Sequence, residues 1–173
     1  MHTGSSWYDT AKICLNGHVL TTAVKYLKIV DDEYCSTCGK QAISSCPHCE
    51  DPIRGFRHEE GIDYFDKHFI PPATNSYYAL PRFCHKCGRT YPWTETAVAA
   101  AKELARELEQ LSKDDRDALE GSIDDLVAEG PRTEVALARF KRIIAKAGDE
   151  AKGGFKTILV DVVSEVVKKV LMP

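Results

Sequence analysis

The sequence predicts an α+β chain in which two linked zinc-ribbon-like (zinc-knuckle) units are followed by a small helical domain. All seven cysteines lie in the first half of the 173 residues, and six of them form three C-x-x-C pairs. After Trp93 no cysteine occurs, and apolar residues recur at the spacing of one helix face. We therefore assign residues 1–93 to a double zinc-binding domain and residues 94–173 to a helical domain.

Composition excludes several classes of protein. Hydrophobic residues are 43% and charged residues 28%, which is ordinary for a globular chain and argues against disorder. A formal net charge of −3 is unlike a strongly basic nucleic-acid coat or a polybasic membrane binder. The sequence has no apolar run of about 18 residues and no signal-like start. We expect a cytoplasmic protein without a membrane span.

The spacing of the cysteines indicates metal binding. An odd cysteine count without a signal peptide is a poor disulfide framework, whereas repeated C-x-x-C pairs suit tetrahedral zinc. A redox role is disfavoured because no βαβ pattern surrounds the three pairs. The seventh cysteine begins a C-x-x-x-H motif, although its histidine could instead be a core or surface residue. We predict two structural Zn²⁺ per chain, with eight ligands: Cys14, His18, Cys35, Cys38, Cys46, Cys49, Cys84 and Cys87.

Two pairings of these ligands are open. Pairing in sequence order gives two zinc ribbons, each made of two knuckles. Interleaved pairing, the cross-brace logic of RING-like domains, joins Cys14 and His18 to Cys46 and Cys49. We favour sequence order, because residues 19–23 resemble a strand inside the first unit. The other knuckle and loop histidines are expected at the surface: His48, His58, His68 and His85.

The long connection at residues 50–83 is rich in proline and aromatic residues, which favours short strands over helix. Its cations and aromatic rings, with those of the third knuckle, are the candidate contacts for a partner or a single-stranded nucleic acid: Arg54, Arg57, Tyr64, Tyr77, Arg82 and Arg89. Ordinary solvated charges are the competing interpretation.

Helical patterns fill the second domain. Thr94 and Ser112 are predicted N-caps of the first two helices. A final helix over residues 155–171 carries a wide apolar stripe. That stripe predicts burial in the domain's own core, or self-association or protein docking. Binding flat on a membrane is disfavoured, because the polar side mixes both signs of charge.

Motifs of common enzymes are absent: there is no P-loop, G-x-S-x-G or H-E-x-x-H. Closed four-ligand zinc sites also leave no position for an activated water. We expect a zinc-stabilised protein-binding or adaptor module without catalysis. The alternative is a zinc ribbon that binds single-stranded nucleic acid, and a hydrolase or nuclease with an open zinc site is a third option.

Three motifs resemble a known family in order along the chain. They are WYDTAxICLNGH from Trp7, CPxCxxPIRG from Cys46 and FCHxCGxxYPWTE from Phe83. Together they resemble an uncharacterised bacterial family of small zinc-ribbon-like proteins, carried as a domain of unknown function. The resemblance implies a bacterial origin and the two-knuckle organisation over about residues 7–96, and it implies no activity. The helical tail lies outside the recognisable pattern.

Overall fold

The computed structural model describes residues 5–27, 32–59 and 78–171, and it divides the chain into two compact units between Trp93 and Thr94. Three residues discussed above, Tyr64, His68 and Tyr77, lie outside the described residues. None of the described helices is long and apolar enough to cross a membrane.

The first unit contains two small antiparallel sheets and one short helix. One sheet pairs β1 (Ser6–Thr10) with β5 (Arg54–Glu59), and the other places β2 (Lys12–Cys14) between β3 (Val19–Thr21) and β4 (Ala42–Ile43). Helix α1 (Val24–Leu27) follows β3. The strand expected at residues 19–23 is therefore present, although it ends at Thr21.

A small apolar core lies under these sheets. Ala11, Ile13 and Ile53 are fully buried. Trp93 stacks on Tyr91 with ring centroids 4.6 Å apart, and its indole Nε1 donates to the Pro81 carbonyl at 2.8 Å. Because this core is small, bound metal is expected to supply much of the unit's stability.

The sequence predicted His58 at the surface, and the structure shows that this prediction is wrong. Its side chain is 4% exposed, and its Nε2 lies 3.4 Å from Oδ2 of Asp9. The rings of His58 and Trp7 stack at 4.0 Å, across the pairing of β1 with β5. Residues alternate between the two faces of β5, so His58 lies on the buried face while Arg57 is exposed.

The second unit is helical. Its helices are α2 (Pro92–Glu107), α3 (Lys113–Ala128), α4 (Thr133–Ala147), α5 (Asp149–Leu159) and α6 (Glu165–Leu171).

The predicted N-cap at Ser112 is confirmed, since its Oγ accepts a hydrogen bond from the backbone N–H of Asp115 at 3.2 Å. The cap at Thr94 is wrong: α2 begins at Pro92, and proline suits the first turn of a helix because its missing N–H has no intrahelical partner there.

The single final helix is also wrong, because residues 160–164 separate α5 from α6. A new start at Ser164 explains the break, since its Oγ accepts from Val167 N at 3.4 Å and its carbonyl from Lys168 N at 2.8 Å. The side chains of the stripe are mostly buried: Phe155, Leu159, Val162, Val163 and Val167. Among its described large apolar side chains, only Val166, at 55% exposure, is open to solvent. The described part of the stripe is therefore mostly buried within the chain.

Candidate metal centres

The three C-x-x-C pairs adopt one local fold. In each, the N–H of the first cysteine donates to the carbonyl five residues later, as from Cys35 to Lys40 at 2.8 Å. The residue after the second cysteine donates back to the first cysteine's carbonyl, as from Gly39 to Cys35 at 2.8 Å. The same two bonds recur at Cys46 and at Cys84. Each loop thereby turns both of its thiols toward one point.

The residue that closes each loop has a left-handed backbone. Gly39 and Gly88 have φ of 69° and 73°, and Glu50 takes the equivalent place in the second loop at 61°. Glycine adopts this conformation without a steric penalty, which explains two of the three positions. Glu50 carries the conformation at a cost that its own loop must offset.

A fourth turn presents Cys14 and His18. The N–H of Cys14 donates to the His18 carbonyl at 2.9 Å, and Gly17 N donates to the Cys14 carbonyl at 2.8 Å. Gly17 has φ of 89°, and a Cβ there would lie 3.2 Å from the Cβ of Trp93. Both the backbone conformation and the close packing therefore require glycine at this position.

The eight predicted ligands form two clusters, and the grouping follows sequence order. One cluster holds Cys14, His18, Cys35 and Cys38, and the other holds Cys46, Cys49, Cys84 and Cys87. Within each cluster the potential ligand atoms all lie within 4.8 Å of one another. The structure does not bring residues together in the interleaved order. Each cluster could hold a metal ion.

The spacing of the donor atoms tests whether zinc fits. An ion about 2.3 Å from each sulfur in a tetrahedron holds the sulfurs about 3.8 Å apart. The Sγ atoms of Cys14 and Cys38, and those of Cys46 and Cys87, are 3.8 Å apart. Nδ1 of His18 lies 3.5 Å from Sγ of Cys14, near the roughly 3.5 Å expected for one nitrogen and one sulfur ligand. All seven cysteines are free in the structure, whereas bonded sulfurs would be about 2.05 Å apart.

One cysteine of each cluster favours the thiolate form, which is the form that binds metal, while the pKa of Cys14 and that of Cys49 are raised. Burial opposes ionisation of Cys35, but backbone N–H groups of Thr37 and Cys38 and the neighbouring thiols outweigh it and lower the pKa of Cys35 to about 6. The same balance lowers the pKa of Cys84 to about 6. Burial raises the pKa of Cys14 to about 11. Binding of a metal ion therefore has to displace a proton from at least one thiol of the first cluster at neutral pH.

The histidines inside the knuckles interact with other side chains instead. Nε2 of His85 lies 2.9 Å from Oδ2 of Asp51, and Arg89 Nη1 donates to Nδ1 of His48 at 3.1 Å. Neither ring belongs to a cluster. Their position at the surface agrees with the sequence analysis.

The predicted contact residues fall on two separate parts of the first unit. Arg54 and Arg57 are exposed on β5, whereas Arg82 and Arg89 flank the third knuckle. The guanidinium carbon of Arg54 lies 4.9 Å from the centre of the Tyr8 ring. Sequence reasoning missed Tyr8 as a neighbour of Arg54, because the contact depends on the long-range pairing of β1 with β5.

Comparison with known proteins agrees with the resemblance in the motifs. The profile of a family described as an uncharacterized protein conserved in bacteria (DUF2321) matches residues 7–171, and the chain belongs to this family. The match corrects the expectation that the helical tail lies outside the family pattern, since it extends through α6. No curated protein and no solved structure matches the chain.

Proposed function

We propose that the chain is a zinc-stabilised binding module with two structural zinc ions and no catalysis at the metal. One ion would be held by Cys14, His18, Cys35 and Cys38, and the other by Cys46, Cys49, Cys84 and Cys87. The observation that carries the proposal is the 3.7–3.8 Å separation of cysteine sulfurs within both clusters, the spacing of a tetrahedral zinc site.

Four protein ligands close each site. A catalytic zinc keeps one position for water or substrate, whereas each cluster offers a fourth protein side chain that would fill this position. The ions would then act on the fold, by fixing four loops whose core is small. Recognition is left to the surface that those loops and strands support.

We infer that this module recognises a protein partner and acts as an adaptor. We expect its surface on the zinc-binding unit, because most of the described apolar side chains of residues 155–171 are buried. Self-association through residues 155–171, where Val166 is exposed, is the other candidate. Single-stranded nucleic acid is the second candidate ligand, and the pairing of Arg54 with Tyr8 favours it.

Native mass spectrometry of gently purified protein tests the metal sites, combined with thiol titration before and after chelation. We expect two zinc ions per chain and no reactive thiol until the chelator is added. One zinc ion, or a reactive thiol in the loaded protein, would contradict two closed sites. That result would favour an open site and a hydrolase or nuclease.

A further inference from the structure

We propose that one face of the β1–β5 ribbon, formed by Tyr8, Arg54 and Arg57 and continued by Lys25, binds single-stranded nucleic acid. This inference rests on the proposed function, because it takes the second candidate ligand of the binding module and places it on one surface of the zinc-binding unit. It places contact on residues of β1 and α1 that the sequence did not single out.

Strand pairing assembles this face. Tyr8 and Arg57 are opposite each other in the register of β1 and β5, and the register shifts between Tyr8 and Thr10. Arg54, beyond the shift, lies over the Tyr8 ring at 4.9 Å. Tyr8 is 45% exposed and both arginines are exposed. A half-exposed ring thus lies beside two cations.

A cleft of about 190 Å³ continues from this face, which is room for a group of phosphate size. Its walls include Tyr8, Thr10, Lys25, Arg54, Asp51 and His85. In the described part of the chain, neither Lys25 nor Arg54 forms an ion pair with a carboxylate, whereas Arg57 lies 3.9 Å from the exposed carboxylate of Glu59. Two cations at one small opening favour an anionic group there.

The carboxylates of the cleft are already engaged. Asp9 accepts hydrogen bonds from the backbone N–H of Thr10, Lys25 and Tyr26 at 2.6, 2.9 and 3.1 Å. Oδ2 of Asp51 lies 2.9 Å from His85, and its Oδ1 lies 3.8 Å from Nζ of Lys86. These partners reduce the negative potential that the two acids would otherwise present to a phosphate.

The Tyr8 ring, with the Arg54 guanidinium lying over it, favours nucleic acid over an acidic peptide as the ligand. The carboxylates of an acidic peptide pair with cations but do not stack on a flat π surface, whereas every base of a nucleic acid has a face that can stack. Bases stack on aromatic rings and on guanidinium planes, and Tyr8 with Arg54 supplies both beside the phosphate-sized cleft. Because the net charge of the chain is −3, long-range attraction is weak and these local contacts must supply the affinity.

The number of cations sets the expected salt dependence. Three phosphate contacts, from Lys25, Arg54 and Arg57, give a slope of log affinity against log salt of about −2 for a single strand. Affinity should then fall about 20-fold between about 50 and 200 mM salt. Removal of one contact should make the slope shallower by about 0.7.

The test is fluorescence anisotropy of a labelled oligothymidine of about 15 nucleotides with the zinc-loaded full chain across a salt series. Arg54→Ala should weaken binding and flatten the slope. Tyr8→Ala should weaken binding at least about fivefold through lost stacking, while Tyr8→Phe keeps the ring and the affinity. Arg142→Ala removes an exposed arginine of α4 and should change neither quantity.

Several outcomes would overturn the inference. They are no binding at low salt, equal losses in Arg54→Ala and Arg142→Ala, or tighter binding of an acidic peptide that competes with the oligonucleotide. Zinc content and thermal unfolding of every variant separate a lost contact from a lost fold. Two bound zinc ions without oligonucleotide binding would end this inference and leave the proposed function standing, whereas a chain without two zinc ions would remove the proposed function itself.

Discussion

At the scale of single residues, the pairing of thiols within each knuckle was predictable, because each knuckle is local. A C-x-x-C loop closes with hydrogen bonds between residues at most five apart, so its sequence is sufficient to bring two thiols together. The choice of which knuckles share an ion depends on packing between distant segments. Cys46 and Cys84 illustrate this, because 37 intervening residues leave either pairing sterically open while the folded chain brings both into one cluster.

His18 gives the sharpest test of a single ligand. His18→Ala should lower the zinc content from two ions to one, or leave a second ion that a chelator removes first, because a water would replace the imidazole. Native mass spectrometry with graded chelator measures this. His48→Ala is the matched control and should retain both ions, since His48 lies in a knuckle but outside the cluster. Two ions in both variants, released at the same chelator concentration, would contradict the role of His18.

Asp9 and His58 show where residue-level prediction fails. No local pattern marks either as buried, yet both are less than 5% exposed. Their burial follows from the pairing of β1 with β5 and from α1, whose backbone N–H groups bond the Asp9 carboxylate. A buried carboxylate with several donors is stable only once these distant segments meet, so the sequence alone does not reveal it.

At the scale of helices and strands, periodicity identified the elements better than their ends. The apolar spacing of residues 155–171 fits one long helix, and the interruption at residues 160–164 keeps Val162 and Val163 buried as well. One long helix and two shorter helices both satisfy this apolar spacing, so the spacing cannot locate the break. Ser164 was the signal, since a serine before Glu165 is a favourable N-cap.

Two glycines of the helical unit should respond in opposite directions to the same change. Gly121→Ala should stabilise the unit by about 1 kcal/mol, because Gly121 lies within α3 with no atom near a built Cβ. Gly148→Ala should destabilise it by about 1–3 kcal/mol, because Gly148 links α4 to α5 at φ 92° and ψ 176°. Urea unfolding followed by helical circular dichroism measures both. The same sign for the two substitutions would contradict this assignment of backbone strain.

At the scale of the whole molecule, we expect the two units to unfold separately. All predicted ligands precede Trp93, and the second unit has its own buried set, including Phe140 and Phe155 with ring centroids 5.3 Å apart. The sequence predicts a division after Trp93, because cysteine content and apolar spacing both change there.

Chelation should therefore unfold one unit and spare the other. Metal binding to such sites is coupled to folding, so its removal should expose the backbone of residues 5–59 while α3 and α4 stay protected. Hydrogen exchange read by mass spectrometry, with and without chelator, resolves the two regions. Restoring zinc should return the original pattern. Uniform loss of protection along the chain, or none at all, would contradict separate units.

The placement of the tryptophans gives this chain a built-in optical reporter. Both of its tryptophans, Trp7 and Trp93, fall in the first unit, so the residues after Trp93 contribute no indole emission. Trp93 is 3% exposed and should emit toward the blue, whereas Trp7 is 49% exposed and should emit toward the red and be open to a soluble quencher. Without any label, the emission of Trp93 thus reports on the interior of the first unit. The emission of Trp7, at a longer wavelength, reports on the ribbon next to Tyr8.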